Sequence, residues 1–146
     1  MDDVSNTVTG LARVTPRPSF PPSGAWRPND PVGNRQFLEL GSQRPFALEA
    51  GGLLRGVTLA YESWGRLNSD ASNAVLVCHA LTGDSHASGE SGPGHPSAGW
   101  WQGMIGPGCA LDTDRFFVVC ANVLGGCQGS TGPSTVDPAD PARRPY

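Results

Sequence analysis

Lysine is missing from this sequence: all ten basic residues are arginine, set against thirteen acidic ones for a formal net charge of −3. With so few positive charges and no cluster of them, nucleic acid is not an expected partner. Long hydrophobic runs are also lacking, and none approaches the ~20 residues that a membrane span needs. No membrane association is expected. The first ten residues, MDDVSNTVTG, are acidic and lack the basic-then-apolar order of a secretory signal, which makes the cytoplasm the expected location.

Cysteine is scarce and poorly spaced for chemistry. Cys78, Cys109, Cys120 and Cys127 form no CxxC pair. The histidines at 79, 86 and 95 match no metal-ligand spacing, so no metal is expected. Cys78 and Cys120 each close an apolar run, where a free thiol packs as a small hydrophobe in place of a disulfide. Cys127 lies in a loop without an evident activating neighbour and is read as inert. Periodic apolar patterning is absent from the first 34 residues, which hold six prolines. Proline withholds a backbone donor, and such a segment buries too little apolar surface to offset its ordering entropy. Residues 1–34 are therefore expected to be a disordered Pro-rich leader. The remaining 35–146, in a chain that is 38% hydrophobic, suffice for one modest core.

What is present starts at Gln36. The runs QFLEL, FALE and VTLAYESW alternate apolar with polar residues and are separated by glycines, the pattern of a small antiparallel arrangement with one wet face. Two later runs, Ala74–Cys78 and Phe116–Val123, are almost continuously apolar. That predicts strands covered on both faces, as in the parallel sheet of an α/β protein. The connection between them is rich in glycine and proline and leaves room only for a short helix near Trp100. Trp100 and Trp101 read as packing anchors. Both apolar strands run into glycine-rich loops, HALTGDSH from His79 and LGGCQGSTGP from Leu124. In an open α/β sheet the ligand crevice lies outside the carboxyl ends of the strands, so the two loops are expected to face one pocket.

His79, Asp84 and Ser85 supply the residue types of a hydrolytic triad, yet close neighbours in a tight loop rarely align into the required relay. His79 is expected to bind loop backbone instead. LGGCQGSTG offers the glycines of an anion cradle, but without P-loop spacing or any lysine to reach a phosphate. What remains is a strand followed by a turn of small residues, His79-Ala80-Leu81-Thr82-Gly83. In the α/β-hydrolase architecture the loop after the third strand donates one backbone N–H of the oxyanion hole, a role that demands position and not a side chain.

The stretches VLVCHALTGDSH and GPGHPSAGWWQGMIGPGCALDTDRFFVVCANVLGGCQGSTGP resemble the N-terminal portion of the homoserine O-acetyltransferases, over about residues 36 to 135. The resemblance implies an α/β-hydrolase fold, present here as an incomplete N-terminal part in which antiparallel strands lead into a mostly parallel sheet. It implies transfer of acetyl from acetyl-CoA, a co-substrate and not a bound cofactor, to the hydroxyl of L-homoserine in methionine biosynthesis. The route runs through an acyl-serine, in an enzyme that is a homodimer at full length. In this family the serine elbow, the Asp and the His come later in the chain. No GxSxG pattern precedes Tyr146, so no catalytic residue carries over. The oxyanion position does carry over, to the backbone of Leu81, with Ala80 and Thr82 lining the same loop. The chain is thus expected to be an N-terminal fragment. A succinyl donor or a serine acceptor within the same family, and a non-catalytic binding module on the same scaffold, remain open.

Overall fold

The structure, a computed structural model, describes residues 24–41, 44–133 and 135–136. Its strands are β1 (Gln36–Leu40), β2 (Phe46–Ala47), β3 (Leu53–Leu54), β4 (Val57–Trp64), β5 (Ala74–Val77), β6 (Ile105–Gly106), β7 (Leu111–Asp112) and β8 (Phe117–Ala121). Four of them build a mixed sheet in the order β1-β4-β8-β5. The alternating runs pair antiparallel, with Leu38 opposite Leu59, and β4 continues antiparallel onto β8, with Ser63 opposite Val119. The two apolar runs pair parallel, with Leu76 also opposite Val119. β2–β3 is a separate antiparallel hairpin and β6–β7 a short parallel pair.

The core lies on one face of β5 and β8. Val77, Ala87, Ile105, Val118 and Cys120 are buried together, with Trp64, Val75, Leu111 and Phe116 packed against them. The expectation that both apolar strands are covered on both faces holds for one face only among the described residues. Leu76, which points away from the core at the sheet edge, is 68% exposed, because no described element packs against that side.

Nor does a helix form near Trp100. Among the described residues that stretch is a run of turns, with Gln102 N–H bonded to Gly99 O and Met104 N–H to Trp101 O. The reason is competition for donors. Gly99, Trp100 and Trp101 give their N–H groups to the carbonyls of Gly89, His86 and Ala87. The approach is so close that a Cβ on Gly99 would sit 2.5 Å from Ser88 Cα.

Residues 24–34 of the expected leader are described and docked, while residues 1–23 lie outside the described residues. Trp26 donates its backbone N–H to Cys127 O and packs on Phe37 with ring centroids 5.3 Å apart and the rings tilted by 38°. Arg35, buried, donates to Val32 O, Gly94 O and Gln128 Oε1. One aromatic and one guanidinium thus supply anchoring that the prolines cannot.

Candidate functional site at the strand ends

β5 ends at Val77 and delivers HALTGDSH to the carboxyl edge of the sheet. His79 sits 2.7 Å through Nδ1 from Ala80 O, and its Nε2 accepts the Val123 N–H at 3.3 Å. Those contacts fix the tautomer that carries its proton on Nδ1. As expected, His79 serves loop backbone, and it also ties the first loop to the second. Gly83 N–H bonds to Ala80 O at 2.8 Å, closing a turn with Leu81 and Thr82 at its centre. The Leu81 side chain is 100% exposed. Among the described residues nothing accepts a hydrogen bond from its N–H.

Beneath this turn lies a cluster that sequence reasoning missed. Glu62, in the middle of β4, is 1% exposed. Its Oε1 accepts the Ser85 hydroxyl at 3.2 Å, and its Oε2 lies 2.9 Å from His86 Nδ1. His95 Nε2 lies 3.6 Å from Oε1 and accepts the Asn34 N–H at 2.9 Å. The two imidazoles stack at 3.8 Å, only 10° from parallel. A buried carboxylate is tolerable only when several donors surround it, and here a hydroxyl and an imidazole do so. Burial pushes the His95 imidazole below its ordinary titration range against the opposing pull of Glu62, which matches a nitrogen that accepts a hydrogen bond.

Glu62, His86 and His95 bring ligating atoms within 4.8 Å of one another, close enough to consider a cation. The nitrogens that face the carboxylate are already engaged, however: His86 Nδ1 by Glu62 and His95 Nε2 by the Asn34 N–H. A metal there would strand a backbone donor. The cluster fits a hydrogen-bonded brace better than a metal centre. A faint signal for it exists in VTLAYESW, where Glu62 shares the inward phase of the alternation with Ala60.

The second loop is used differently. β8 pairs with β4 only from Tyr61 onward, which leaves the first half of β4 with an unpaired edge. Ser130 Oγ accepts the Ala60 N–H at 3.0 Å and donates to Asn122 O at 2.8 Å. Thr131 accepts the Thr58 N–H through Oγ1 and donates its own N–H to Thr58 O, both at 2.8 Å. These residues stand in for a missing strand, which is the job of the serine and threonine in LGGCQGSTGP. Asn122 then joins the loops: its Oδ1 accepts the Ser85 N–H at 2.9 Å and its Nδ2 donates to Gln128 O.

The first loop, the segment 92–100 and the docked residues 24–31 surround a cleft of about 500 Å³, whose lining includes Trp26, Asp30, Thr82, Asp84, His95 and Trp100; the second loop contributes Gln128, and Ala80 and Leu81 lie outside the lining. Trp100 is a wall as well as an anchor, since its indole N–H donates to Asp84 O at 2.9 Å. Cys120 lies buried below, with Sγ 3.7 Å from Asp84 O. Burial and then the Glu62 carboxylate push its thiol up to about 12, so it is inert.

A mixed sheet in which antiparallel strands lead into a parallel pair, with two cross-tied loops and a cleft at its carboxyl edge, defines a protein of the α/β-hydrolase class. Solved structures agree. The chain superposes on esterase E22 with a TM-score of 0.65 at 32% identity, covering 77% of this chain and 31% of that one. On the homoserine O-acetyltransferase of Bacillus anthracis the TM-score is 0.61 at 33% identity, covering 72% and 29%. No family model matches. Against the homoserine O-acetyltransferase of Thermobifida fusca, identity is 67% over 121 residues, 83% of this chain and 31% of that protein. Over most of its length the chain thus matches part of the homoserine O-acetyltransferases. It spans about 30% of the length of the curated relatives it matches.

Proposed function

We propose that the full-length protein transfers acetyl from acetyl-CoA to the hydroxyl of L-homoserine, and that this chain supplies the oxyanion donor and one wall of the pocket. The observation that carries the reading is the Leu81 turn. Its N–H is uncommitted, stands at the carboxyl end of β5, and lies within the stretch of high identity to homoserine O-acetyltransferases.

In such a reaction a serine hydroxyl supplied elsewhere attacks the thioester carbonyl, and negative charge grows on the carbonyl oxygen. A fixed backbone N–H aimed at that oxygen stabilises the transition state more than the ground state. Ala80 and Thr82 flank the donor and bound the space beside the acyl group. Residues 1–146 hold no elbow serine in a GxSxG setting, so they supply no nucleophile, and alone they are expected to transfer no acetyl. Methionine biosynthesis, a cytoplasmic location and a homodimeric full-length enzyme complete the proposal.

Likeness to an esterase at a similar TM-score favours one second reading, in which the same scaffold delivers the acyl group to water. The test is a competition on the full-length protein, with acetyl-CoA against succinyl-CoA as donor and L-homoserine, L-serine and water as acceptors. A higher kcat/KM for acetyl-CoA with L-homoserine is expected. Preference for succinyl-CoA or serine would move the protein to a sister activity, and hydrolysis faster than transfer would establish the esterase reading. No turnover with any pair would leave a binding module.

A further inference from the structure

The oxyanion turn has nothing in its own sequence that holds it still. Leu81 and Thr82 are exposed, Gly83 contributes one turn hydrogen bond, and no helix follows to stiffen the chain. Preorganisation is nonetheless the whole value of an oxyanion donor, since a displacement of about 1 Å costs on the order of a hundredfold in rate. The rigidity must come from the two ends.

The leading end is tied by His79, between Ala80 O and the Val123 N–H. The trailing end is tied far more deeply. Ser85 is fully buried, with its N–H on Asn122 Oδ1 and its hydroxyl on Glu62 Oε1, and the next residue, His86, places Nδ1 on Glu62 Oε2. Asp84 is gripped from the other side, its carbonyl accepting the Trp100 indole N–H and its carboxylate the His86 N–H. Glu62 therefore binds two consecutive residues of the loop through two oxygens of one planar group, from the half of an eight-residue strand that pairs with β8 opposite Cys120. Burying a carboxylate at a core position of β4 costs stability that an apolar residue would not. A role that an apolar residue cannot fill accounts for its presence there.

We propose that Glu62 is a positioning residue for acyl transfer: through Ser85 and His86 it holds the Leu81 turn in register with the carbonyl of the acyl donor. The inference rests on the oxyanion reading of that turn. His95, stacked on His86 and bonded to Asn34, extends the brace to the docked N-terminal segment. Glu62 itself touches no substrate.

The full-length enzyme carrying Glu62→Gln tests this. The amide keeps the size and still accepts from Ser85, but turns an NH2 toward the His86 Nδ1–H. The expected result is a fall in kcat of tenfold or more with KM for acetyl-CoA changed less than threefold, together with faster hydrogen exchange at the bonded amides of Gly83, Ser85 and His86. Unchanged kcat with unchanged exchange would overturn the proposal, and so would a fall in kcat with exchange at Gly83, Ser85 and His86 unaltered. Faster exchange with unchanged kcat would instead overturn the oxyanion reading and leave the brace standing as a structural feature only. Should Glu62→Gln fail to fold, Ser85→Ala, which deletes one of the two links and adds no buried donor, gives the same pair of readouts, and each outcome carries the same meaning.

Discussion

The two loops at the carboxyl edge of the sheet both carry small and polar residues and are opposite in construction. HALTGDSH is fastened at its ends, by His79 and by Ser85 with His86, and leaves Leu81 with an exposed side chain and an uncommitted N–H. LGGCQGSTGP is sewn along β4, with Ser130 and Thr131 spending their hydroxyls on the Ala60 and Thr58 amides. The contrast separates a loop whose backbone is kept available from one whose side chains complete a sheet. Serine and threonine occur in both and do not distinguish their roles; where the backbone hydrogen bonds go does.

The largest expected effect breaks the comparison at the available amide. In the full-length protein Leu81→Pro removes the donor and should lower turnover about a hundredfold or more, corresponding to roughly 3 kcal/mol, while Leu81→Met leaves it near the parent value. Equal steady-state rates for two variants with matching melts would remove Leu81 from the oxyanion hole. The complementary change is in the second loop. Ser130→Ala strands the buried Ala60 N–H and should cost about 1–3 kcal/mol of stability, read as a lower denaturant midpoint, with kcat of the folded enzyme kept. A drop in kcat without a drop in midpoint would mean that the second loop is not merely structural.

How much of this could be read from residues alone follows the same division. Strand existence and direction were legible, because period-2 alternation marked β1 and β4 and continuous apolar runs marked β5 and β8. The facing of the two loops followed from where those strands end. Three things were not legible. A helix near Trp100 was expected because crossovers usually contain one, and backbone pairing of Gly99–Trp101 with His86–Gly89 took the donors instead. LGGCQGSTGP looked like a ligand loop because its hydroxyls carry no mark of their target, which is an unpaired half of β4. The Glu62–His86–His95 cluster joins residues 24 and 33 positions apart, and a spacing search for ligands in one loop does not reach across a sheet. The one trace was an acidic residue in the inward phase of an alternating strand.

A pH dependence sharpens the comparison, because the first loop leans on buried imidazoles and the second does not. Burial holds the His95 imidazole below its ordinary value of 6.5. As pH falls below about 6.5, the unfolded chain takes up that proton before the folded one does. The unfolded state then binds more protons, so this contribution is fully present above 6.5 and is lost as pH drops toward the lowered folded value. Glu62, His86, Arg35 and Asp84 are the charged groups that act on His95. Melting temperature should therefore decline through the mildly acidic range, and His95→Gln should flatten that decline. A His95→Gln profile parallel to that of the parent would show that the proton is taken up elsewhere.

The smallest expected effect is a difference in thiol labelling. Cys127 lies exposed in the second loop, whereas Cys120 lies buried under Asp84 of the first, with its thiol pushed up to about 12 by burial and then by the Glu62 carboxylate. At pH 8 a thiol near that value is ionised in only about one molecule in ten thousand, and the thiolate is the reacting form. Iodoacetamide should thus modify Cys127 within the time in which Cys120 stays intact. Two of the causes acting on Cys120, the Glu62 charge and its burial under the anchored end of the first loop, depend on the brace. Glu62→Gln removes the first and loosens the second, so Cys120 should label faster in that variant while Cys127 keeps its rate. Acceleration at both cysteines alike would point to general unfolding; acceleration at Cys120 alone localises the change to the anchored end of the first loop.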